Sequence, residues 1–202
     1  MAHTRALADR VIPGEGLAWE ILRIAAANLL LILCARVAIP LPWTPVPITG
    51  QTFGVMLVAV LLGSHRAAIT LVLYLLEGLA GLPVFQPFGL PGAARLAGPT
   101  AGYLMAYPFA AYAMGWINEA RRDRENSYSL ARLLGALLAG EVVIFVAGCS
   151  WLAVVSAMNW SQALAAGALP FLPGEILKIV AVIAVARSLN WIRPESTPTN
   201  QR

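Results

Sequence analysis

Charged side chains are scarce in this sequence: Asp, Glu, Lys and Arg make up 12% of the 202 residues, whereas hydrophobic residues make up 59%. A soluble domain carries about a quarter charged residues. Because so few charges could not cover the surface in water, a soluble globular domain is excluded and lipid is the expected solvent. The formal net charge of +4 therefore bears on membrane topology rather than on nucleic-acid binding.

Residues for several kinds of chemistry are also missing. The two histidines, His3 and His65, lie outside the apolar stretches, so no His-based metal site or Ser-His dyad is expected within the membrane. Cys34 and Cys149 lack Cys or His neighbours at metal-ligand spacing, which favours buried thiols over a disulfide or a metal site. No G-x-x-x-x-G-K-[ST] motif is present. We therefore predict that the chain is not an enzyme, has no cofactor, and relies on other subunits for any ATP hydrolysis.

The apolar stretches predict an all-α integral membrane protein, a bundle of six transmembrane helices with Pro/Gly-rich outer loops, forming one membrane domain over residues 1–202. A membrane helix needs about 20 apolar residues. Residues 1–16 lack the apolar core of a cleaved signal peptide, so the first stretch is predicted to remain as a helix. Tails at 1–18 and 193–202 are predicted to flank the helical part, 19–192. The predicted spans are 22–39, 48–63, 67–82, 100–117, 130–157 and 176–191.

Basic residues indicate the orientation, because they are retained on the cytoplasmic side of a membrane protein. With both termini inside, eleven basic residues are cytoplasmic, and only Arg36, Arg95 and Lys178 remain outside. We therefore predict a multi-pass protein of the cytoplasmic membrane with both termini cytoplasmic. The eleven are Arg5, Arg10, Arg23, Arg66, Arg121, Arg122, Arg124, Arg132, Arg187, Arg193 and Arg202.

Proline and glycine are concentrated in the outer connections, at 40–47, 81–92 and 169–174. Proline runs fix extended backbone without internal hydrogen bonds, so these loops are expected to be stiff. Stiff apolar loops on one face of a bundle indicate a lid.

Ionisable residues at the outer face or within the membrane are the main candidates for function, because each costs about 2 to 3 kcal/mol at mid-membrane. Lys178 is the only lysine, and Glu175 lies three residues before it, on one face at the outer start of the sixth helix. A carboxylate acceptor and an ammonium donor side by side could bind a polar ligand. The competing interpretation is an ordinary ion pair with Lys178 snorkelling to the interface.

Arg95 could meet a ligand carboxylate in bidentate geometry, or could be an exposed loop arginine. Tyr103 and Tyr107 are one helical turn apart and could line the same cavity, or could form a lipid-facing stripe. Glu77 and Glu141 favour structural hydrogen bonding to neighbouring helices.

Four motifs occur in the same order and spacing as in a known family. They are Pro45-Val-Pro-Ile-Thr-Gly-Gln-Thr-Phe-Gly54, Gly81-Leu-Pro-Val-Phe85, Gly98-Pro-Thr-Ala-Gly-Tyr-Leu104 and Pro170-Phe-Leu-Pro-Gly-Glu-Ile-Leu-Lys178. The sequence resembles the BioY family, the biotin-specific S components of energy-coupling-factor vitamin transporters. Two departures are Glu175, where the family usually has Asp, and Ala101, where it usually has Gly.

The resemblance implies a six-helix subunit that captures biotin with high affinity near the outer face. Its partners would be a transmembrane coupling subunit, cytoplasmic ATPase subunits and the lipid bilayer. Glu175 and Lys178 would satisfy the ureido ring, Arg95 the valerate carboxylate, and Phe85 and Trp43 the apolar part. The residues Tyr103, Gln51 and Gln86 complete the predicted substrate site.

In such families the first helix presents small residues to the coupling subunit. This role is predicted for Ala18, Ala26, Ala27 and Ala35, although a lipid-facing Ala-rich helix remains an alternative. Two other functions remain open. An ion-coupled secondary transporter of a small organic anion could use Glu77 or Glu141 as a proton relay, but no repeated half is visible. A scaffold subunit would leave Glu175, Lys178 and Arg95 without a purpose.

Overall fold

The computed structural model describes residues 8–119 and 129–189, and these residues are mostly helical. A pair of two-residue antiparallel strands, β1 (Ala38–Ile39) and β2 (Ile48–Thr49), closes the loop after the second helix. A six-residue 3-10 helix, Gly92–Ala97, lies before α5. The α-helices are α1 (Ala8–Val11), α2 (Leu17–Arg36), α3 (Gln51–Leu62), α4 (Ser64–Leu79), α5 (Ala101–Glu119), α6 (Leu130–Val155), α7 (Trp160–Gly167) and α8 (Leu172–Ser188).

Each of the six predicted spans overlaps one long helix, α2 to α6 and α8. By length and hydropathy, two helices of the described ranges could cross a membrane, α2 and α6. The pair α7 and α8, bent by 52°, would be a third span if it is counted as one. Six crossings therefore stay a prediction. The described residues leave out positions 1–7 of the predicted tail 1–18, the basic segment 120–128 and the predicted tail 193–202.

Two short α-helices, α1 and α7, were not predicted from the apolar stretches, and polar contacts explain both. The helix α7 begins with a capping box, in which the Asn159 side chain accepts from the Gln162 backbone and the Gln162 side chain accepts from the Asn159 backbone. The helix α1 is held to α2 and α4 by ion pairs. Arg23 is buried and contacts Asp9 at 3.2 Å and Glu20 at 2.6 Å, and Arg66 contacts the same two carboxylates.

Small residues bring the helix backbones together. A Cβ on Gly102 of α5 would lie 2.3 Å from the Trp151 Cβ on α6. A Cβ on Gly115 would lie 2.3 Å from the backbone nitrogen of Ser64, at the start of α4. Such close approach is the usual basis of packing between helices in a membrane.

Contacts between helix ends show that the bundle has two distinct ends. At one, Glu119 at the end of α5 accepts from the backbone and side chain of Ser64. At the other, which we call the loop end, lie the connections 37–50 and 80–100. There the Arg36 guanidinium donates to the Pro83 carbonyl, and the Trp151 indole donates to the Gly98 carbonyl at 2.9 Å. The Pro/Gly-rich loops at 40–47 and 81–92 therefore lie at one end of the bundle.

Candidate functional site

A cavity lies at the loop end, with about 560 Å³ of empty space when the open space at its mouth is included. Pockets for small molecules are mostly lined by apolar groups with a few polar ones. This cavity has that character, since charged and amide groups stand among aromatic and aliphatic side chains. Its lining residues are Val46, Pro47, Thr49, Gln51, Thr52, Phe85, Gln86, Arg95, Thr100, Tyr103, Leu104, Tyr107, Ile144, Phe145, Gly167, Phe171 and Glu175.

Glu175 on the cavity wall belongs to a three-residue network. Its Oε1 accepts from Lys178 Nζ at 2.7 Å, and its Oε2 accepts from the Thr52 hydroxyl at 2.7 Å. Lys178 Nζ also donates to Thr52 Oγ1 at 2.8 Å, which closes the network. Pro173 and Gly174 precede the carboxylate in the first turn of α8, and Thr52 lies in the first turn of α3. Two helix starts thus meet and hold a buried carboxylate in one orientation.

Lys178 itself does not line the cavity, although its ion pair with Glu175 was predicted from the spacing. Thr52 stands on the wall instead. The ammonium therefore lies behind the polar surface, where it balances the charge of Glu175 and orients the Thr52 hydroxyl. The difference arises because the lysine lies one helical turn further into α8 than the glutamate.

Arg95 is the cation on the cavity wall. It is only 6% exposed, which excludes the exposed-loop alternative, and its Nη2 donates to the Gln86 carbonyl at 3.0 Å. Its Nε has no hydrogen-bond partner among the described residues. Burial lowers the pKa of the guanidinium, an effect that nearby Tyr74 partly opposes. A buried cation with an unused donor favours an anionic ligand group.

Arg95 also lies where the cavity meets a second one. This outer cavity shares Pro47, Gln86, Arg95 and Thr100 with the first but is not lined by Glu175 or Thr52. The cation therefore lies toward the loops, and the carboxylate lies away from the outer cavity.

The tyrosines of α5 face inward, as one of the two predicted alternatives required. Tyr103 and Tyr107 both line the cavity and are 7% and 3% exposed. The Tyr103 hydroxyl donates to the Gly167 carbonyl at 2.8 Å, so it ties α5 to the end of α7. A Cβ on Gly148 would lie 2.2 Å from the Tyr103 ring. Tyr103 therefore contributes its ring to the cavity while its hydroxyl is already bonded.

The structure brings together most of the predicted substrate-binding residues but not all. Gln51, Phe85 and Gln86 line the cavity with Glu175, Arg95 and Tyr103. Trp43 lies outside it, because its side chain is 68% exposed in the loop between β1 and β2. Thr52, Thr49 and Thr100 are wall residues that were not predicted, even though Thr49 and Thr52 stand inside the quoted motif 45–54.

The two membrane glutamates differ from each other. Glu77 fits the predicted structural role, since Asn28 Nδ2 lies 2.7 Å from each of its carboxylate oxygens. Glu141 does not, because neither oxygen of this buried side chain has a hydrogen-bond partner among the described residues. Glu141 lies three residues before the wall residue Ile144 on α6, so it is one turn below the cavity.

The alanines predicted to meet a coupling subunit do not share one face of α2. Ala18 and Ala26 are exposed, but Ala27 and Ala35 are 5% and 0% exposed and pack inside the bundle. Ala27 and Ala35 therefore cannot contact another subunit in this structure. The spacing of eight residues pairs Ala18 with Ala26 and Ala27 with Ala35. These two pairs lie on different sides of α2.

Comparison with known proteins identifies a family. The model of the BioY family matches residues 6–195. A biotin transporter BioY from Rhizobium etli is 35% identical over 154 residues, which cover 75% of this chain and 81% of the relative. A biotin transporter BioY from Rhodobacter capsulatus is 37% identical over 167 residues, covering 79% of this chain and 86% of the relative. The crystal structure of the S-component for biotin from an ECF-type ABC transporter matches with a TM-score of 0.75 and 27% identity, over 87% of this chain and 96% of that chain.

Proposed function

Because this chain belongs to the BioY family, we propose that it captures biotin and passes it across the cytoplasmic membrane as the substrate-binding subunit of an energy-coupling-factor transporter. The observation that carries the proposal is the cavity, in which a buried carboxylate and a buried arginine face an apolar space. A secondary transporter of a small anion would need the arginine but not the carboxylate network.

Biotin fits the chemistry of these groups. Its ureido ring has two N–H donors and one carbonyl acceptor, and its valerate chain ends in a carboxylate. Glu175 accepts from one ureido N–H. The Thr52 hydroxyl donates its proton to Glu175 and accepts from Lys178, which leaves one lone pair of its oxygen to accept from the second ureido N–H. Arg95 binds the carboxylate where the two cavities meet. The aliphatic chain and fused ring lie against apolar wall residues such as Phe85 and Phe171.

One end of the bundle, which holds Arg23, Arg66 and the start of α2, faces the cytoplasm. The loop end faces outside. This orientation follows from the retention of basic residues inside. A reporter that works only in the cytoplasm should be active when it is fused to the C-terminus. A reporter that works only outside the membrane should be inactive at the same position. The reverse pattern would overturn the six-span topology.

Energy for uptake comes from other subunits, because the sequence has no phosphate-binding loop. In cells that lack their own biotin transporter, co-expression of this chain with its coupling and ATPase subunits should concentrate labelled biotin. ATPase subunits with a substituted P-loop lysine should abolish the accumulation while biotin binding to membranes persists. Accumulation that survives the substitution and collapses with the proton gradient would instead support an ion-coupled carrier.

A further inference from the structure

We propose that Tyr74 on α4 is a positioning residue that holds the loop 80–91 over the cavity and thereby sets the rate of ligand release. The inference rests on the proposed function, because the ligand in question is biotin. Tyr74 is fully buried and does not line the cavity, so it acts through other residues.

The hydroxyl of Tyr74 joins a wall residue to the loop. Gln51 Nε2 on the cavity wall donates to Tyr74 Oη at 2.7 Å, and Tyr74 Oη donates to the Val84 carbonyl at 3.1 Å. The hydroxyl thus accepts from α3 and donates to the loop. All three groups are buried, so water cannot replace either bond without opening the structure.

The ring of Tyr74 forms one side of the packing site of the Phe85 ring. The two rings meet edge to face, with centroids 5.3 Å apart and planes at 83°. Gly78, one turn further along α4, forms the other side, because a Cβ there would lie 2.0 Å from the Phe85 ring. A glycine is therefore required at position 78 for Phe85 to lie where it does.

The loop carries groups that the cavity needs. Phe85 and Gln86 line the cavity, and the Gln86 carbonyl accepts from Arg95 Nη2. If the loop moves away, the cavity loses two wall residues and Arg95 loses its only protein acceptor among the described residues. Opening of this loop is therefore coupled to weaker holding of the ligand.

Tyr74→Phe removes the hydroxyl and keeps the ring. Dissociation of labelled biotin from the purified chain should become roughly three- to tenfold faster, the effect of losing the one buried hydrogen bond that joins the hydroxyl to the loop at Val84. Hydrogen exchange of the ligand-free chain should also become faster at the loop amides, including those of Leu82, Val84 and Phe88, and stay unchanged in α6. The matched control is Tyr112→Phe, since Tyr112 is exposed and contacts His65.

Gly78→Ala tests the packing site of Phe85 and leaves the Tyr74 hydroxyl unchanged. Its methyl group would displace Phe85, so faster loop exchange and faster dissociation are expected again. Gly135→Ala is the control, because a Cβ there meets nothing within 4 Å. Unchanged dissociation in both Tyr74→Phe and Gly78→Ala would overturn the proposal, as would faster loop exchange with unchanged dissociation. If the wild-type chain binds no biotin, the proposed function fails, while loop exchange in the ligand-free chain still decides whether Tyr74 holds the loop.

Discussion

Lys178→Ala is expected to weaken biotin binding by about 2 to 4 kcal/mol, roughly 30- to 1,000-fold. The substitution leaves the Glu175 carboxylate buried without its cation, and it removes the donor that orients the Thr52 hydroxyl. An unpaired buried carboxylate is costly, so the site is expected to bind a proton or to rearrange. Either change removes an acceptor that the ureido N–H groups need.

Lys178→Arg keeps the positive charge but replaces a point donor with a planar fork, so partial binding should survive. Arg187→Ala is the control on the same helix, because Arg187 lies exposed in the last turn of α8, away from the network. Isothermal titration of the three variants with biotin measures the effect. Unchanged affinity in Lys178→Ala would remove the network from the binding site.

Arg95→Ala is expected to weaken binding of biotin by about 1.5 to 3 kcal/mol, the usual contribution of a hydrogen bond to a charged group. Biotin amide should bind the wild-type chain less tightly, because it lacks the carboxylate. For the amide, Arg95→Ala should change the affinity little. Comparing both ligands in both proteins isolates the contact between Arg95 and the carboxylate, as in a double-mutant cycle.

The amide comparison also serves as the control for damage to the fold. Arg95 anchors the loop through the Gln86 carbonyl, so its removal could disturb the cavity for any ligand. Equal losses for biotin and biotin amide would mean that Arg95 only supports the loop. A loss confined to biotin would place the carboxylate at Arg95.

The helices and the family were predictable from the sequence because they depend on long or specific patterns. Apolar stretches placed all six long helices, and the match of the BioY family model to residues 6–195 confirms the resemblance seen in four motifs. The pairing of Glu175 with Lys178 followed from helical spacing, since residues three apart share a face. The number of membrane crossings remains a prediction, because two or three spans meet the length and hydropathy criteria.

Other features required contacts between elements that are distant along the chain. Thr52 lies 123 positions before Glu175, and nothing in either segment alone indicates that the two helix starts meet. Trp43 carries the aromatic character expected of a wall residue, but its loop directs the side chain outward. Ala27 and Ala35 differ from the exposed alanines only in their angle around α2, which the packing of neighbouring helices determines. Sequence patterns therefore predict which residue types a site contains better than they predict where the side chains point.

The most direct test is equilibrium binding of biotin to the purified wild-type chain in detergent or lipid nanodiscs, with no other subunit present. This chain by itself supplies the buried carboxylate, the buried arginine and the apolar wall of the cavity. We therefore expect saturable binding of one biotin per chain, with competition by excess unlabelled biotin. Absence of saturable binding by a correctly folded chain, or binding that appears only after the coupling subunit is added, would contradict the account.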